Sequence, residues 1–585
     1  MMFTHLTYRI NKECASPEYK SRLEQEIKIF TELGLMGFIE RITEIYYKYI
    51  SKYPVLLRGS AGSSLLLYYL GINKIDPIKY SIPISRFIGL ERKILPDIDF
   101  DVPYSVRNKL IDEILEANSD CVRMTSCAGM DSSNIYFPQL LKEDPTLNIP
   151  HSSGIIIYSS EQSEIIETHK VLPNQIGLTK DNIHQYGLRK IDILSNTALE
   201  QLYNISKLQI SQYNFDDKKV WDFISNDDGI GITFAETPSI QNVIRLLKPQ
   251  NIEQLSICMA LIRPLASHLI TQNLNWEYLG EQIIYDDDFI LFLIDKLGYS
   301  GDKADGIRRL FKNNNEPEKI LKFKMDLEQV ELDLETKKKL NYILSNLSKY
   351  GFCKSHSINY AQMIYCLYWN KFYKPKQFWK SVIKSVKGYY RDWVYIRKAL
   401  GYGLKFKGIE NCSPFYHLIY TGYWLKKDFV SRCYLRKLNT QSEINTHIDL
   451  IINKPIEPIE SIEPNENNDD KNNDDEYDDK DDNKDDDEED DKDDGGKDDI
   501  IVETKPDYKY NKLCEFRGII AGIGSISTRY KRYQMVITLG YDNDKFIELH
   551  LNKRRDLSRF KQIIGKGFWI DTPNPHVVVT KMTLM

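Results

Sequence analysis

The chain has 585 residues, 42% hydrophobic and 12% aromatic, which is enough apolar surface for several cored domains. Its net charge of −6 hides two opposed regions: residues 466–499 hold 21 acidic residues and 5 lysines, a net of −16, which leaves +10 on the rest, the sign a phosphate-bearing partner requires. No apolar run approaches the ~20 residues of a membrane helix. The first residues lack a signal core, and the 9 cysteines form no C-x-x-C pair. A membrane span and a zinc-ligand cluster are therefore excluded, and buried free thiols in a soluble, intracellular protein are expected.

Residues 1–50 read as helices, with Leu23, Ile27, Phe30, Leu33 and Phe38 forming an apolar stripe. Next comes a turn of small residues, Arg58-Gly59-Ser60-Ala61-Gly62-Ser63-Ser64, opening an apolar helix at residues 65–70. Glycine and serine allow backbone N–H groups to approach a phosphate closely, and a helix N-terminus adds a favourable dipole. Behind Pro96, the alternating Asp97, Asp99 and Asp101 share one face of a strand. Carboxylates so crowded repel one another unless a cation lies between them, and hard divalent ions such as Mg²⁺ take oxygen ligands of this kind.

The RGSAGSS turn, the PDIDFD strand and the spacing between them resemble the palm of the bacterial replicative DNA polymerase III alpha subunits, the C-family. With the later motifs, the resemblance covers residues 19–382. It implies a DNA polymerase beta-like nucleotidyltransferase palm in which Asp97 and Asp99 hold metal and Arg58, Gly59 and Ser60 meet the incoming triphosphate. With the palm motifs so near residue 1, no counterpart of the family's N-terminal phosphoesterase-like domain or proofreading nuclease is expected in these residues. Between Asp101 and Pro150 the interval that carries the family's helical thumb is much shorter, so weak duplex binding and low processivity are expected.

Residues 149–158 contain an apolar run that fits a buried palm strand, with His151 read as structural. Gly187-Leu188-Arg189-Lys190-Ile191-Asp192-Ile193-Leu194 resembles the strand bearing the family's third catalytic aspartate. Asp192 lies between isoleucines, where an unpaired carboxylate is expensive, so it is expected to face a metal. Lys190 points to the same face, and by analogy Lys180 and Lys190 lie near nucleotide phosphates. A helix follows at residues 196–210. The segment Asp228 to Glu236 stands where the family has a short strand ending in glutamate. Arg263-Pro264 matches a family pair, and Asp286, Asp287 and Asp288 read as a charged turn or helix start rather than as ligands.

Two finger motifs follow. Residues 298–310, with Arg308 and Arg309, resemble the family's nucleotide-facing helix, and Lys312 joins Arg308 at i, i+4. Arginine forks suit phosphate oxygens. Residues 350–361 place Lys354 and His356 just before a long aromatic helix capped by Ser355 or Ser357, a natural triphosphate site. Beyond a post-finger helix near residues 391–404, the acidic stretch has too little apolar surface to fold. Residues 511–585 alternate like barrel strands and resemble the family's C-terminal OB domain. There Arg529, Tyr530, Lys531, Arg532 and Tyr533 form a basic aromatic hairpin suited to single strands.

The expected fold is therefore α+β and multidomain: a helical lead-in at 1–50, a palm with shortened thumb region at 51–215, and mostly helical fingers at 216–382. A post-finger helical region at 383–452, an acidic disordered linker at 453–508 and an OB-type β-barrel at 509–585 complete it. The expected activity is template-directed DNA synthesis with two Mg²⁺ ions held by Asp97, Asp99 and Asp192. Primer-template DNA and deoxynucleoside triphosphates are the expected partners, with single-stranded DNA at the OB domain and a processivity factor. Two rival readings are a polymerase-derived DNA-binding or recruitment factor and a nucleotidyltransferase without a template. High Lys, Asn, Ile and Tyr content fits an AT-rich genome, and the cytoplasm or a viral or phage replication site fits such a protein.

Overall fold

The computed structural model describes residues 16–404 except 92–96, 127–148, 179, 272–273, 314–315, 386–387 and several positions between 329 and 346. It also describes residues 434–437 and five strands between 512 and 584. Residues 127–148 of the shortened thumb interval, the whole acidic linker and the hairpin carrying Arg529, Tyr530, Lys531, Arg532 and Tyr533 lie outside the described residues.

The chain folds as mixed α+β. Seven strands, β1 (Leu56–Arg58), β2 (Ile98–Pro103), β3 (Cys121–Ser126), β4 (Ile149–Ile157), β5 (Lys170–Leu172), β6 (Gln175–Ile176) and β7 (Arg189–Asn196), form one sheet in the order β1-β2-β7-β4-β3-β6-β5. Next to its β1 edge, β2 and β7 run parallel with Asp99 opposite Asp192, while β1 pairs antiparallel with β2 and sets Arg58 opposite Asp99. Alternation of side chains explains why these residues meet. Ile98, Phe100 and Val102 of β2, and Ile191 and Ile193 of β7, are buried in one core, so Asp99 and Asp192 emerge on the other side.

That core is covered by the N-terminal helices. In α1 (Pro17–Glu32), Leu23 and Phe30 are buried, while Ile27 and, just past the helix end, Leu33 pack partly buried against the same cluster. The helix α2 (Leu65–Tyr69) is buried with them. A second core surrounds α3 (Ile252–Leu261), and a third joins α4 (Asp286–Leu297) to α5 (Gly301–Asn313). The long helix α6 (Lys354–Tyr373) is buried along nearly its whole length, consistent with apolar and aromatic residues on every side. It presses directly on the sheet: Asn359 Nδ2 donates to Leu57 O at 2.7 Å.

Toward the C-terminus, β8 (Tyr434–Lys437), β9 (Lys512–Gly524), β10 (Met535–Tyr541), β11 (Lys545–Leu551), β12 (Gln562–Ile570) and β13 (His576–Leu584) make a second sheet, ordered β10-β11-β13-β12-β9-β8. The strand β9 pairs antiparallel with both β12 and β10, and β11 with β13 is the parallel pair. This sheet touches the post-finger region where Arg391 N–H donates to Ala521 O at 2.8 Å and the Tyr389 hydroxyl lies 2.6 Å from Thr538 Oγ1. Among the described residues no helix is long and apolar enough to cross a membrane.

Two local expectations are corrected. Residues 228–236 are consecutive turns rather than a strand, because Gly229 and Gly231 take positive φ and Glu236 folds back to accept the Gly231 N–H at 3.0 Å. Neither Ser355 nor Ser357 caps α6, which begins at Lys354 after Cys353. Their hydroxyls go elsewhere: Ser355 donates to Gly59 O at 2.8 Å and Ser357 to Ser256 O at 2.9 Å.

Candidate metal centre and phosphate-facing turn

One carboxylate oxygen from each of Asp97, Asp99 and Asp192 can be chosen so that all lie within 4.8 Å of one another. They come from the parallel pair of β2 and β7 and the residue just before β2. Asp192 is buried and accepts a hydrogen bond from Ser153 Oγ at 3.1 Å. Ser153 is held in turn by β4, where the His151 ring accepts the Gly154 N–H at 2.8 Å. The histidine thus shapes the strand that supports Asp192.

The Lys190 ammonium sits among these carboxylates, 2.7 Å from Asp192 Oδ2 and 3.3 Å from Asp97 Oδ2. Burial alone would lower its pKa, but Asp192 and Asp97 outweigh burial and hold it above the ordinary lysine value. Lys190 therefore neutralises part of the centre itself. Asp99 is left with the deficit. Burial, then repulsion from Asp192 and Asp97, raises its carboxyl to about 7, and its Oδ1 is buried without a hydrogen-bond partner. A buried carboxylate oxygen aimed at two others is the donor set that a hard divalent cation fits. Because Lys190 competes for the same oxygens, Lys190→Met is expected to tighten Mn²⁺ binding by about tenfold while lowering the metal-free Tm; calorimetric titration and thermal melts check the two halves separately.

Asp101 has a different task from its neighbours on β2. It is fully buried and accepts from Asn196 Nδ2 and the Tyr360 hydroxyl, both at 3.0 Å, while Arg58 approaches at 3.5 Å. It thereby ties β7, α6 and Arg58 to the strand that carries Asp99.

The turn before α2 is built around two glycines. Gly59 takes φ +67°, a conformation that glycine adopts without strain. At Gly62 an added Cβ would lie 2.9 Å from Ser355 Cβ, so the turn and α6 meet only because a side chain is missing. Gly62→Ala is expected to cost roughly 1–3 kcal/mol by overpacking, read as a lower midpoint in urea with an unchanged slope.

The expected helix dipole at α2 does not face outward. The Glu26 carboxylate of α1 fills that end, accepting the Leu65 and Leu66 N–H groups at 3.0 Å each and the Ser64 hydroxyl at 2.8 Å. Glu26 is buried and paired with Arg22 at 2.8 Å. An anion from outside would meet the Gly59 to Gly62 turn instead.

Against this turn stands His356, whose Nδ1 accepts the Gly59 N–H at 3.4 Å. Burial, with Arg58 and Arg263 nearby, pushes its pKa down to about 3, so it is a neutral acceptor here rather than a cation. Arg263, outside the expected set, stacks on Phe352 with its guanidinium carbon 4.8 Å from the ring centre; the Arg263-Pro264 pair was its only mark in the sequence.

The remaining finger cations are held by carboxylates. Arg308 Nε pairs with Asp305 Oδ1 at 2.9 Å, Arg309 Nε with Asp305 Oδ2 at 2.9 Å, and Lys312 with Asp286 at 2.9 Å. Lys354 lies 3.8 Å from Glu253, and its N–H donates to Asp287 at 2.8 Å. Asp286 is thus the counter-ion of Arg308 and Lys312, Asp287 pairs with Arg86 at 4.0 Å, and Asp288 caps the start of α4 through the Tyr285 and Ile284 N–H groups. Lys180 opens the helix Lys180–Gln185; its side chain lies outside the described residues.

These features define a class: a carboxylate centre for hard cations, set beside a glycine turn and backed by arginine and lysine. Comparison with known proteins agrees. The family described as the bacterial DNA polymerase III alpha NTPase domain matches residues 1–124, and the bacterial DNA polymerase III alpha subunit finger domain matches residues 191–331. DNA polymerase III subunit alpha of Thermotoga maritima is 29% identical over 396 residues, covering 62% of this chain and 46% of the relative. The proteins of the same name from Staphylococcus epidermidis and Staphylococcus aureus are 24% and 23% identical over 479 and 461 residues. They cover 66% and 63% of this chain and 45% and 43% of their own lengths. The chain spans about half the length of the curated relatives it matches. Two regions of the chain are thus similar to the NTPase and finger domains of the bacterial DNA polymerase III alpha subunits, the C-family, at low identity to their curated members.

Proposed function

We propose that the chain is a template-directed DNA polymerase that adds deoxynucleotides to a primer 3′ end, built on a DNA polymerase beta-like palm. The observation that carries this reading is the meeting of Asp97, Asp99 and Asp192, with Arg58, which opens the Gly59 turn, opposite Asp99. Those three carboxylates would hold two Mg²⁺ ions, which when bound lower the pKa of an attacking hydroxyl and stabilise the attacking and leaving oxygens of a phosphoryl displacement. Ser153 and Lys190 orient Asp192 and offset its charge. Arg58, Gly59 and Ser60, with Lys180 and Lys190, are proposed to contact the triphosphate; Arg58 lies opposite Asp99 across the β1–β2 pairing. Arg308, Arg309, Lys354 and His356 are proposed to complete its binding from the fingers. In this structure the finger cations rest on Asp286, Asp305 and Glu253, so a triphosphate would take them over from those carboxylates.

The C-terminal strands β9 to β13 pair in a circuit that returns to β9, which supports an OB-type reading of residues 509–585. There Arg529, Tyr530, Lys531, Arg532 and Tyr533 are proposed to contact single-stranded DNA, and a processivity factor would offset a short thumb. Extension of a labelled primer-template with Mg²⁺ and four deoxynucleoside triphosphates tests the reading. Addition that follows the template supports it. Equal addition to an unpaired 3′ end would assign a template-free transferase, and binding without extension would assign a recruitment factor.

A further inference from the structure

We propose that Phe234 is a stacking platform for the nucleobase of the incoming nucleotide, an inference that rests on the nucleotidyl-transfer reading above. Phe234 combines two unfavourable features. Its φ is +68°, in the left-handed region that bulky residues avoid, and the residue is 45% exposed, so burial does not compensate the backbone.

The surrounding structure holds it there. Ile232 and Ala235 on either side are buried, and Thr233 Oγ1 donates to Gln201 Oε1 at 2.9 Å. Gln201 Nε2 donates to Gly231 O at 2.7 Å, and Glu236, which accepts the Gly231 N–H, is itself held by the Tyr395 hydroxyl at 2.8 Å. A strained conformation so over-determined by its neighbours is a mark of a working position.

Its place relative to the centre gives the task. The Phe234 ring stacks on Tyr360, centroids 5.0 Å apart and planes at 26°. Tyr360 donates to Asp101 at 3.0 Å, and its ring lies 4.2 Å from that of His356, which touches Gly59. Asp101 is two residues along β2 from Asp99, a step of ~6.6 Å. A row of rings, His356 tilted against Tyr360 and Tyr360 stacked on Phe234, thus leads away from the carboxylate centre and ends at the exposed Phe234. The substrate's own aromatic group, its base, is the partner that an open ring face takes, independent of base identity.

Binding of 2-aminopurine deoxyribonucleoside triphosphate to the full chain, followed by fluorescence with Ca²⁺ replacing Mg²⁺, tests this. Wild type and Phe234→Trp should quench the probe. Phe234→Leu, which keeps bulk but not the π face, should lose quenching and bind about tenfold more weakly. Phe234→Gly should do the same with a Tm no lower than wild type, since glycine relieves the backbone. Wild-type quenching and affinity in the Leu and Gly variants would overturn the inference and leave Phe234 a structural neighbour of Tyr360. A wild type that extends primers without quenching the probe would overturn it while leaving the polymerase reading intact, whereas one that neither binds nor extends would overturn both.

Discussion

Asp192→Asn is expected to cut Mg²⁺-dependent primer extension by at least ~10³-fold, about 4 kcal/mol of transition-state stabilisation. The substitution keeps shape and the Ser153 hydrogen bond partner in place, but removes the charge that a cation shared with Asp97 and Asp99 requires. Asp99→Asn should lose as much activity yet raise the stability of the metal-free protein. Burial and its two acidic neighbours lift the Asp99 carboxyl to about 7, so the folded state binds this proton more tightly than the unfolded state does. Stability contributed by the protonated form is therefore complete below the ordinary carboxylate range and is lost as pH rises toward 7. The asparagine removes that loss: the gain in Tm should exceed ~2 °C at pH 8 and shrink toward zero near pH 4, read by thermal melts in chelator. Added Mg²⁺ should raise the wild-type Tm at pH 8 and leave Asp99→Asn unmoved.

The largest stability effect is expected away from the carboxylate centre. Glu26→Ala removes a buried carboxylate that satisfies the Leu65 and Leu66 N–H groups, the Ser64 hydroxyl and Arg22 together. Breaking a buried ion pair from one side costs roughly 3–5 kcal/mol, because the other charge and the freed donors remain buried. Arg22 retains Ser63 O and Ile82 O at 2.9 and 3.2 Å, which favours the lower end of that range. Urea denaturation should show the loss. Glu26→Gln, which keeps an acceptor oxygen, should recover about half of it. Equal losses in the two variants would mean that charge, not capping, carries the effect.

The sequence made the sheet residues legible because their alternation is local. Asp99 among Ile98 and Phe100, and Asp192 between Ile191 and Ile193, declare which face each occupies once the neighbours are known to be buried. That α1, α5 and α6 are helical followed from periodic or apolar runs, but α6 starts at Lys354 and so includes Lys354 and His356, which the sequence placed just before it. Partners distant in the chain were not legible. Nothing near residue 65 indicates that Glu26 takes the end of α2, since that contact depends on how α1 crosses the turn. The same holds for Asp286 and Asp287, which read as a charged helix start and prove to be the counter-ions of Arg308, Lys312 and Arg86. Ser355 and Ser357 fitted the local rule for a cap, but close packing against Gly59 and Ser256 took their hydroxyls. His356, expected as a donor or cation, is neutral because burial beside two arginines excludes its proton. The strain at Phe234 leaves no trace in composition or periodicity.

Mn²⁺ binding followed by electron paramagnetic resonance, with wild type and Asp192→Asn compared at one ionic strength, tests the carboxylate centre most directly. The acidic stretch 466–499 will take up Mn²⁺ weakly in both proteins, so the difference between them reports the centre alone. Additional tight binding in wild type, weakened at least tenfold by Asp192→Asn, is the predicted result. Identical binding curves would mean that residues 97, 99 and 192 share no cation.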